Sequence, residues 1–175
     1  MSIITSFTRT WLTRTVQPFR FKNEYDCILP YEECDNLGLY VHIPFCKSIC
    51  NFCPYCKVLY SKELCDRYID SLIDEIHLIG RTKPGRKKAT SLYFGGGTPA
   101  LASERIKDII DAVNEHFIIT EGVGLELHPD NVNEDTLSVL KEAGVTKISI
   151  GIQSLYYKYQ KILGRKKIDT SALAS

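Results

Sequence analysis

No run of apolar residues in this 175-residue chain reaches the roughly 18 that a membrane-crossing helix needs. Nothing in it therefore reads as a helical membrane span. Net charge is equally scarce: 22 Lys and Arg against 21 Asp and Glu leave +1. So small an excess gives no general hold on nucleic acid or on an anionic membrane surface. The apolar core of a secretory signal is missing as well. So are acidic residues before Glu24: "MSIITSFTRTWLTRTVQPFRFKN" carries Arg9, Arg14, Arg20 and Lys22 and no acid. Thr and Arg without acid is the composition of a mitochondrial transit peptide. Phe7, Trp11 and Phe19 suit an amphipathic N-terminal arm of a cytoplasmic protein, and that reading is adopted, with the mitochondrial one as the alternative.

What the chain does have is cysteine. There are seven, an odd number, at positions 27, 34, 46, 50, 53, 56 and 65, and four lie within "CKSICNFCPYC". A disulfide framework spreads its cysteines and pairs them, whereas a tight cluster in a reducing compartment reads as a metal site. Zinc sites usually come as two separate C-x2-C pairs. Here the run is C-x3-C-x2-C-x2-C, which favours an iron–sulfur cluster, since one cuboidal cluster presents several irons to a short loop. Four thiolates would close every iron; three would leave one iron free to bind something else. Spacing permits the triple 46, 50, 53 and the triple 50, 53, 56, and does not choose.

From residue 37 onward strand and helix patterns alternate. "LGLYVHI" (37–43) is β-rich. Ser61 is a plausible N-cap for a helix with Cys65, Ile69, Leu72, Ile73, Ile76 and Ile79 on one face and a stop at Gly80. "RTKPGRKK" (81–88) reads as a solvated basic loop. Then come a strand "TSLYF" (90–94), a loop "GGGTP" (95–99) and a helix from Ser103 marked by Ile106, Ile109, Ile110, Val113 and Phe117. "VGLEL" (123–127) is the third strand, Asn133 caps the third helix and Gly144 ends it. "TKISIGI" (146–152) is the fourth strand, followed by a short helix up to Gly164. Alternating strands and helices imply parallel pairing. Unusual chemistry follows every strand: the cysteines, the glycines, Glu126 with His128, and Gln153 with Ser154. A barrel gathers the C-terminal ends of its strands at one mouth. The expected fold is α/β, a partial (β/α) barrel of about four parallel βα units. Its limits are an N-terminal arm at 1–36, the partial barrel at 37–167 and a tail at 168–175.

The glycine run lets backbone approach a ligand closely; it also suits a tight connection with no ligand. Glu126 lies in a parallel strand, where both faces are usually buried, so its carboxylate needs donors. A ligand's hydroxyl or ammonium groups would supply them, and so would a structural partner. His42 and His128, at strand ends, read as structural.

Together and in this order, "YVHIPFCKSICNFC", "YFGGGTP", "LELHPD" and "ISIGIQS" with its following "LGR" resemble the radical S-adenosylmethionine (radical SAM) superfamily. More narrowly, they resemble the oxygen-independent coproporphyrinogen III oxidase family with its haem-chaperone relatives, over roughly residues 37–167. The resemblance implies that Cys46, Cys50 and Cys53 hold a [4Fe-4S] cluster whose fourth iron binds S-adenosyl-L-methionine (SAM). It implies that Tyr40 and Phe52 flank this cofactor, that Gly96 meets its methionine end and that Glu126 binds its polar groups. Gly97, Thr98, Gln153 and Arg165 match the positions that hold a second SAM in the oxidase. It implies reductive cleavage of SAM to methionine and a 5′-deoxyadenosyl radical, a tetrapyrrole substrate or haem, and an electron donor such as flavodoxin or ferredoxin. Cys56 departs from the oxidase pattern, lying three positions after Cys53 where the family has two. Members are also at least twice this length, so the matched barrel is truncated relative to the family. The expected function is oxidative decarboxylation of a porphyrinogen. The alternatives are a haem chaperone, a methyltransferase or other modifier of a haem-like ring and, outside the family, a ferredoxin-like electron carrier using all four cysteines.

Overall fold

The computed structural model describes residues 31–82 and 85–165. The chain divides after Tyr31, and the described structure belongs almost wholly to the unit from Glu32 onward. The segment read as an arm or transit peptide lies outside the described residues up to position 30, as do Cys27 and the tail 168–175.

In chain order the elements are β1 (Gly38–Ile43), β2 (Phe45–Cys46), β3 (Val58–Leu59), α1 (Lys62–Gly80), β4 (Lys87–Ala89), β5 (Ser91–Gly96), α2 (Ser103–His116), β6 (Phe117–Ile119), β7 (Val123–Leu127), α3 (Glu134–Glu142), β8 (Lys147–Ile150) and α4 (Tyr157–Ile162). Four strands form one sheet in the order β1-β5-β7-β8, and every neighbouring pair is parallel. Spatial order equals chain order. Each crossover thus advances in the same direction, which is how a barrel wall grows; a doubly wound sheet reverses at a switch point. The protein is an α/β structure of parallel strands and helices, as the alternating pattern requires.

The core lies between this sheet and the helices. Ile43, Leu92, Phe94 and Leu125 from the strands and Ile69, Ile106, Ile109 and Leu140 from the helices are fully buried. Phe45, just past β1, is buried too and packs edge-on against Tyr68 of α1, with ring centroids 5.5 Å apart. Truncating a ring such as Phe94 to Ala would cost about 3–5 kcal/mol in a core of this kind.

Local signals account for the helix ends. Ser61 accepts from the Leu64 amide at 3.4 Å, and Asn133 from the Thr136 amide at 2.9 Å. Each cap satisfies one of the four free amides of a helix start, worth about 1 kcal/mol. Gly144, at φ +100°, turns the chain out of α3 in the left-handed region that glycine enters without strain.

Four local expectations are corrected. The second strand runs on through Gly95 and Gly96, which pair with His42 and Ile43, so the glycine loop begins later than its composition suggested. The basic segment is not all loop: Lys87–Ala89 pairs with β6 as a parallel ladder, and Arg86 donates to the Phe117 carbonyl. Gly80 does not stop α1 by a positive φ. It is the last helical residue, and the cap is Arg81 in the right-handed region. A Cβ at position 80 would lie 2.0 Å from Cγ of His116, so the glycine makes room for that ring. Finally, β2 and β3 form a small parallel pair that the cysteine-rich composition had hidden.

Candidate metal and cofactor site

The cysteine loop leaves the sheet at the C-terminal end of β1 and is tied shut at its base. The Val58 amide donates to the Pro44 carbonyl and the Tyr60 amide to the Cys46 carbonyl, both at 2.9 Å. His42 completes the brace. Its Nε2–H donates to the Cys56 carbonyl at 2.9 Å, and the Tyr40 hydroxyl donates to its Nδ1 at 3.3 Å. The carbonyl partner requires a hydrogen on Nε2, and each ring nitrogen is used once. The Tyr68 hydroxyl donates to the His42 carbonyl at 2.7 Å, and Lys57 Nζ donates to the Cys53 carbonyl. His42 is thus structural, as its position at a strand end suggested.

The loop leaves Cys46, Cys50 and Cys53 half-buried on the wall of a pocket of about 460 Å3. Cys56 is exposed and is not part of that wall; the loop uses its carbonyl. Burial pushes the Cys46 thiol up. The Thr98 hydroxyl, 3.9 Å from its sulfur, pulls the other way, while the neighbouring Cys53 and Cys50 add to the rise. Cys46 therefore lies within electrostatic reach of the other two thiols.

Opposite them stands the end of β5. Its glycines serve the chain's own packing first. A Cβ on Gly95 would lie 2.9 Å from the Tyr40 ring. One on Gly96, at φ +113°, would lie 2.6 Å from His42, and one on Gly97 would lie 2.6 Å from the Phe45 carbonyl oxygen. The amides of Gly97 and Thr98 donate to the carbonyls of Ile43 and Phe45 at 2.8 and 2.7 Å. The tight-connection reading is therefore satisfied, and Gly96, Gly97 and Thr98 also line the pocket.

Glu126, on β7, is half-buried rather than buried. It accepts from the Gly96 amide at 3.3 Å and from the Tyr93 hydroxyl at 3.4 Å. Both bonds are long, and a carboxylate has about four acceptor positions, so capacity for further donors remains. Burial raises the Tyr93 and Tyr40 hydroxyls, with the Glu126 charge adding to the rise. Tyr40 stacks on Tyr93 at 6.4 Å between centroids but is more than half exposed, and it does not line the pocket.

The remaining wall comes from beyond β8. Arg165 donates Nη1 to the Gly151 carbonyl at 2.5 Å, and its guanidinium lies 5.7 Å from the Phe52 ring centroid, within cation–π range. Its Nε is buried with no hydrogen-bond partner among the described residues. Gln153, at φ +66°, is the one non-glycine residue described in the left-handed region, and it lines the pocket beside Gly151. A non-glycine residue in this region carries backbone strain of about 1–3 kcal/mol.

Of the eleven residues singled out from the sequence, the structure brings ten to one pocket and leaves Tyr40 at its edge. Lys47, Tyr55, Asn131 and Ser149 were not anticipated there. They carry no spacing signal and join the wall only through the fold. His128, read as structural, both takes the Asp130 amide on Nδ1 at 3.2 Å and lines the pocket. Burial holds its pKa below the ordinary value, with Arg165 and Lys47 adding to the fall and Asp130 opposing it.

These features define a class: a parallel α/β protein whose strands open at their C-terminal ends onto a thiol-lined pocket. The Radical SAM superfamily model matches residues 40–173, and the chain belongs to that superfamily. It is 33% identical over 131 residues to the heme chaperone HemW of Bacillus subtilis (strain 168), covering 72% of this chain and 34% of that protein. It is 32% identical over 136 residues to the oxygen-independent coproporphyrinogen III oxidase of Paracoccus denitrificans (strain Pd 1222), covering 75% and 30%. Among solved structures it resembles the Escherichia coli coproporphyrinogen III oxidase HemN, described as a radical SAM enzyme. The TM-score is 0.70 at 30% identity, over 79% of this chain and 32% of that one. The chain spans about a third of the length of these relatives.

Proposed function

We propose that this pocket binds a [4Fe-4S] cluster and SAM, and that the protein acts in tetrapyrrole metabolism as an oxygen-independent coproporphyrinogen III oxidase. The observation that carries the reading is the meeting of Cys46, Cys50 and Cys53 with the Gly96–Glu126 pair in one cavity while Cys56 stays outside it. The residues fit the groups in three respects. Three thiols with no disulfide partner share one wall. Glu126 has acceptor capacity left for hydroxyl or ammonium donors. Arg165 has an orphaned buried Nε suited to a carboxylate. The volume, about 460 Å3, lies in the range of small-molecule and cofactor sites.

When bound, the cluster and SAM supply a reductively generated 5′-deoxyadenosyl radical able to take a hydrogen atom from an organic substrate. The chain's own residues do the rest. Cys46, Cys50 and Cys53 hold the metal, and the β2–β3 pair with the His42 brace keeps their loop in place. Glu126 and the Gly96 backbone would orient the cofactor's polar groups, with Phe52 flanking it on the pocket wall and Tyr40 only at the pocket's edge. Gly97, Thr98, Gln153 and Arg165 form the wall where a second SAM would lie. A flavodoxin or ferredoxin would deliver the electron, and the cytoplasm is the expected compartment.

A second reading, a haem chaperone, draws on the match to HemW, which is as strong as the match to the oxidase. Cys56, one residue further from the triplet than in the oxidase, counts against the oxidase without selecting among its alternatives. The test is anaerobic reconstitution with iron and sulfide, then incubation with SAM, a reductant and coproporphyrinogen III, or with haem alone. Decarboxylated porphyrinogen together with 5′-deoxyadenosine supports the oxidase. Stable haem binding without turnover supports the chaperone, and a methylated or opened ring supports a modifying enzyme. A cluster that forms but neither binds SAM nor yields 5′-deoxyadenosine would overturn the shared reading.

A further inference from the structure

A second group of ligand-type side chains lies away from the pocket. His77 stands in the last turn of α1, and Glu115 and His116 end α2. Helices that cross between parallel strands run opposite to them, so these helix ends lie at the N-terminal rim of the sheet, across the fold from the cysteines. His77 Nδ1 and His116 Nε2 are 3.0 Å apart, and Glu115 Oε2 is 3.7 Å from the same His77 nitrogen. All three ligand atoms fall within 4.8 Å of one another.

We propose that His77, Glu115 and His116 form a binding site for a zinc-class divalent ion that clamps the C-terminal ends of α1 and α2 together. Bonds of about 2.0–2.1 Å in a tetrahedral site set ligand atoms about 3.3 Å apart. The observed 3.0 and 3.7 Å bracket that spacing. Two imidazoles and one carboxylate are a donor set that zinc uses with a water in the fourth position. Ligation needs a free lone pair on both facing nitrogens, so the hydrogen bond between the rings gives way to the metal.

Two features show that the rings are placed rather than incidental. The His116 ring lies directly on Gly80, where a Cβ would come within 2.0 Å of Cγ, so any other residue at 80 would displace it. Both helices also end at this point. The negative ends of two helix dipoles meet there, and that favours a cation. Arg86 is already engaged by the Phe117 carbonyl, at 2.8 Å from Nη2. The His77 side chain is 22% exposed and that of Glu115 64%, so an ion can enter without opening the core.

The test uses the 175-residue chain with its cluster reconstituted, zinc added, and zinc K-edge X-ray absorption to read the ligands. One zinc per chain is expected, with nitrogen or oxygen at about 2.0–2.1 Å and no sulfur at about 2.3 Å, which separates this site from the cysteines. Zinc should also raise the melting temperature. Glu115→Gln, at an exposed position that the fold does not need, and His77→Ala should each weaken zinc by at least about 100-fold, beyond the 10–100-fold that loss of an outer-shell partner costs. Both should abolish the thermal shift. No bound zinc, a sulfur shell, or an unchanged nitrogen and oxygen shell in both variants would overturn the proposal.

Discussion

Replacing Glu126 by Ala separates a cofactor-binding role from a structural one. Among the described residues this carboxylate accepts from the Gly96 amide and the Tyr93 hydroxyl, at 3.3 and 3.4 Å. Ser149 offers Tyr93 another partner, so its hydroxyl need not be stranded. The Gly96 amide does lose its acceptor, and the fold should weaken by about 1 kcal/mol. For SAM the effect is larger. Donors that Glu126 would receive lose their partner in a half-buried site, at about 1–3 kcal/mol. At about 1.4 kcal/mol per decade, that is roughly five- to 150-fold in affinity. Glu126→Gln keeps one acceptor oxygen and should fall between wild type and Ala. The assay is calorimetric titration of SAM into anaerobically reconstituted protein, with the cluster's visible absorbance measured on the same samples. Affinity should fall in the order wild type, Gln, Ala, with the absorbance unchanged. Unaltered affinity in both variants, or a loss of absorbance in step with affinity, would refute the role argued for Glu126.

The cysteines should divide three to one. Cys46→Ala, Cys50→Ala and Cys53→Ala should each abolish the [4Fe-4S] absorption and electron paramagnetic resonance signals, while Cys56→Ala, outside the pocket wall, should keep them; equal loss at Cys56 would revive the four-thiolate carrier. Gly97→Ala should destabilise the chain by about 1–3 kcal/mol even without cofactor, because its Cβ would lie 2.6 Å from the Phe45 carbonyl oxygen, held there by the Thr98 amide. Gly144→Ala, with a positive φ but open space around it, should cost less, about 1–2 kcal/mol, and thermal melts of the two variants would show the difference.

The order of strands and helices was legible in the sequence because its causes are local. Short β-rich runs and helical apolar spacing mark the four sheet strands and α1 to α3, and Ser61, Asn133 and Gly144 act within a few residues of themselves. The family was legible too, since four motifs in fixed order survive in the linear text. Other features depend on residues far apart in the chain. Cysteine spacing allowed two triplets; that Cys46, Cys50 and Cys53 line the pocket while Cys56 does not appears only in the fold, where His42 reaches the Cys56 carbonyl and β3 returns beside β2. The glycines read as a ligand's approach path, yet each first makes room for Tyr40, His42 or Phe45 from the neighbouring strand. Gly80 read as a helix stop, and its use is to seat a ring 36 residues further on. A residue's type states what it can do, but a contact across parallel strands exists only after the crossover helices have brought those strands together. The sequence by itself therefore determined the alternation, the caps and the thiol cluster, while only the tertiary structure decided which thiols share a pocket and what each glycine is for.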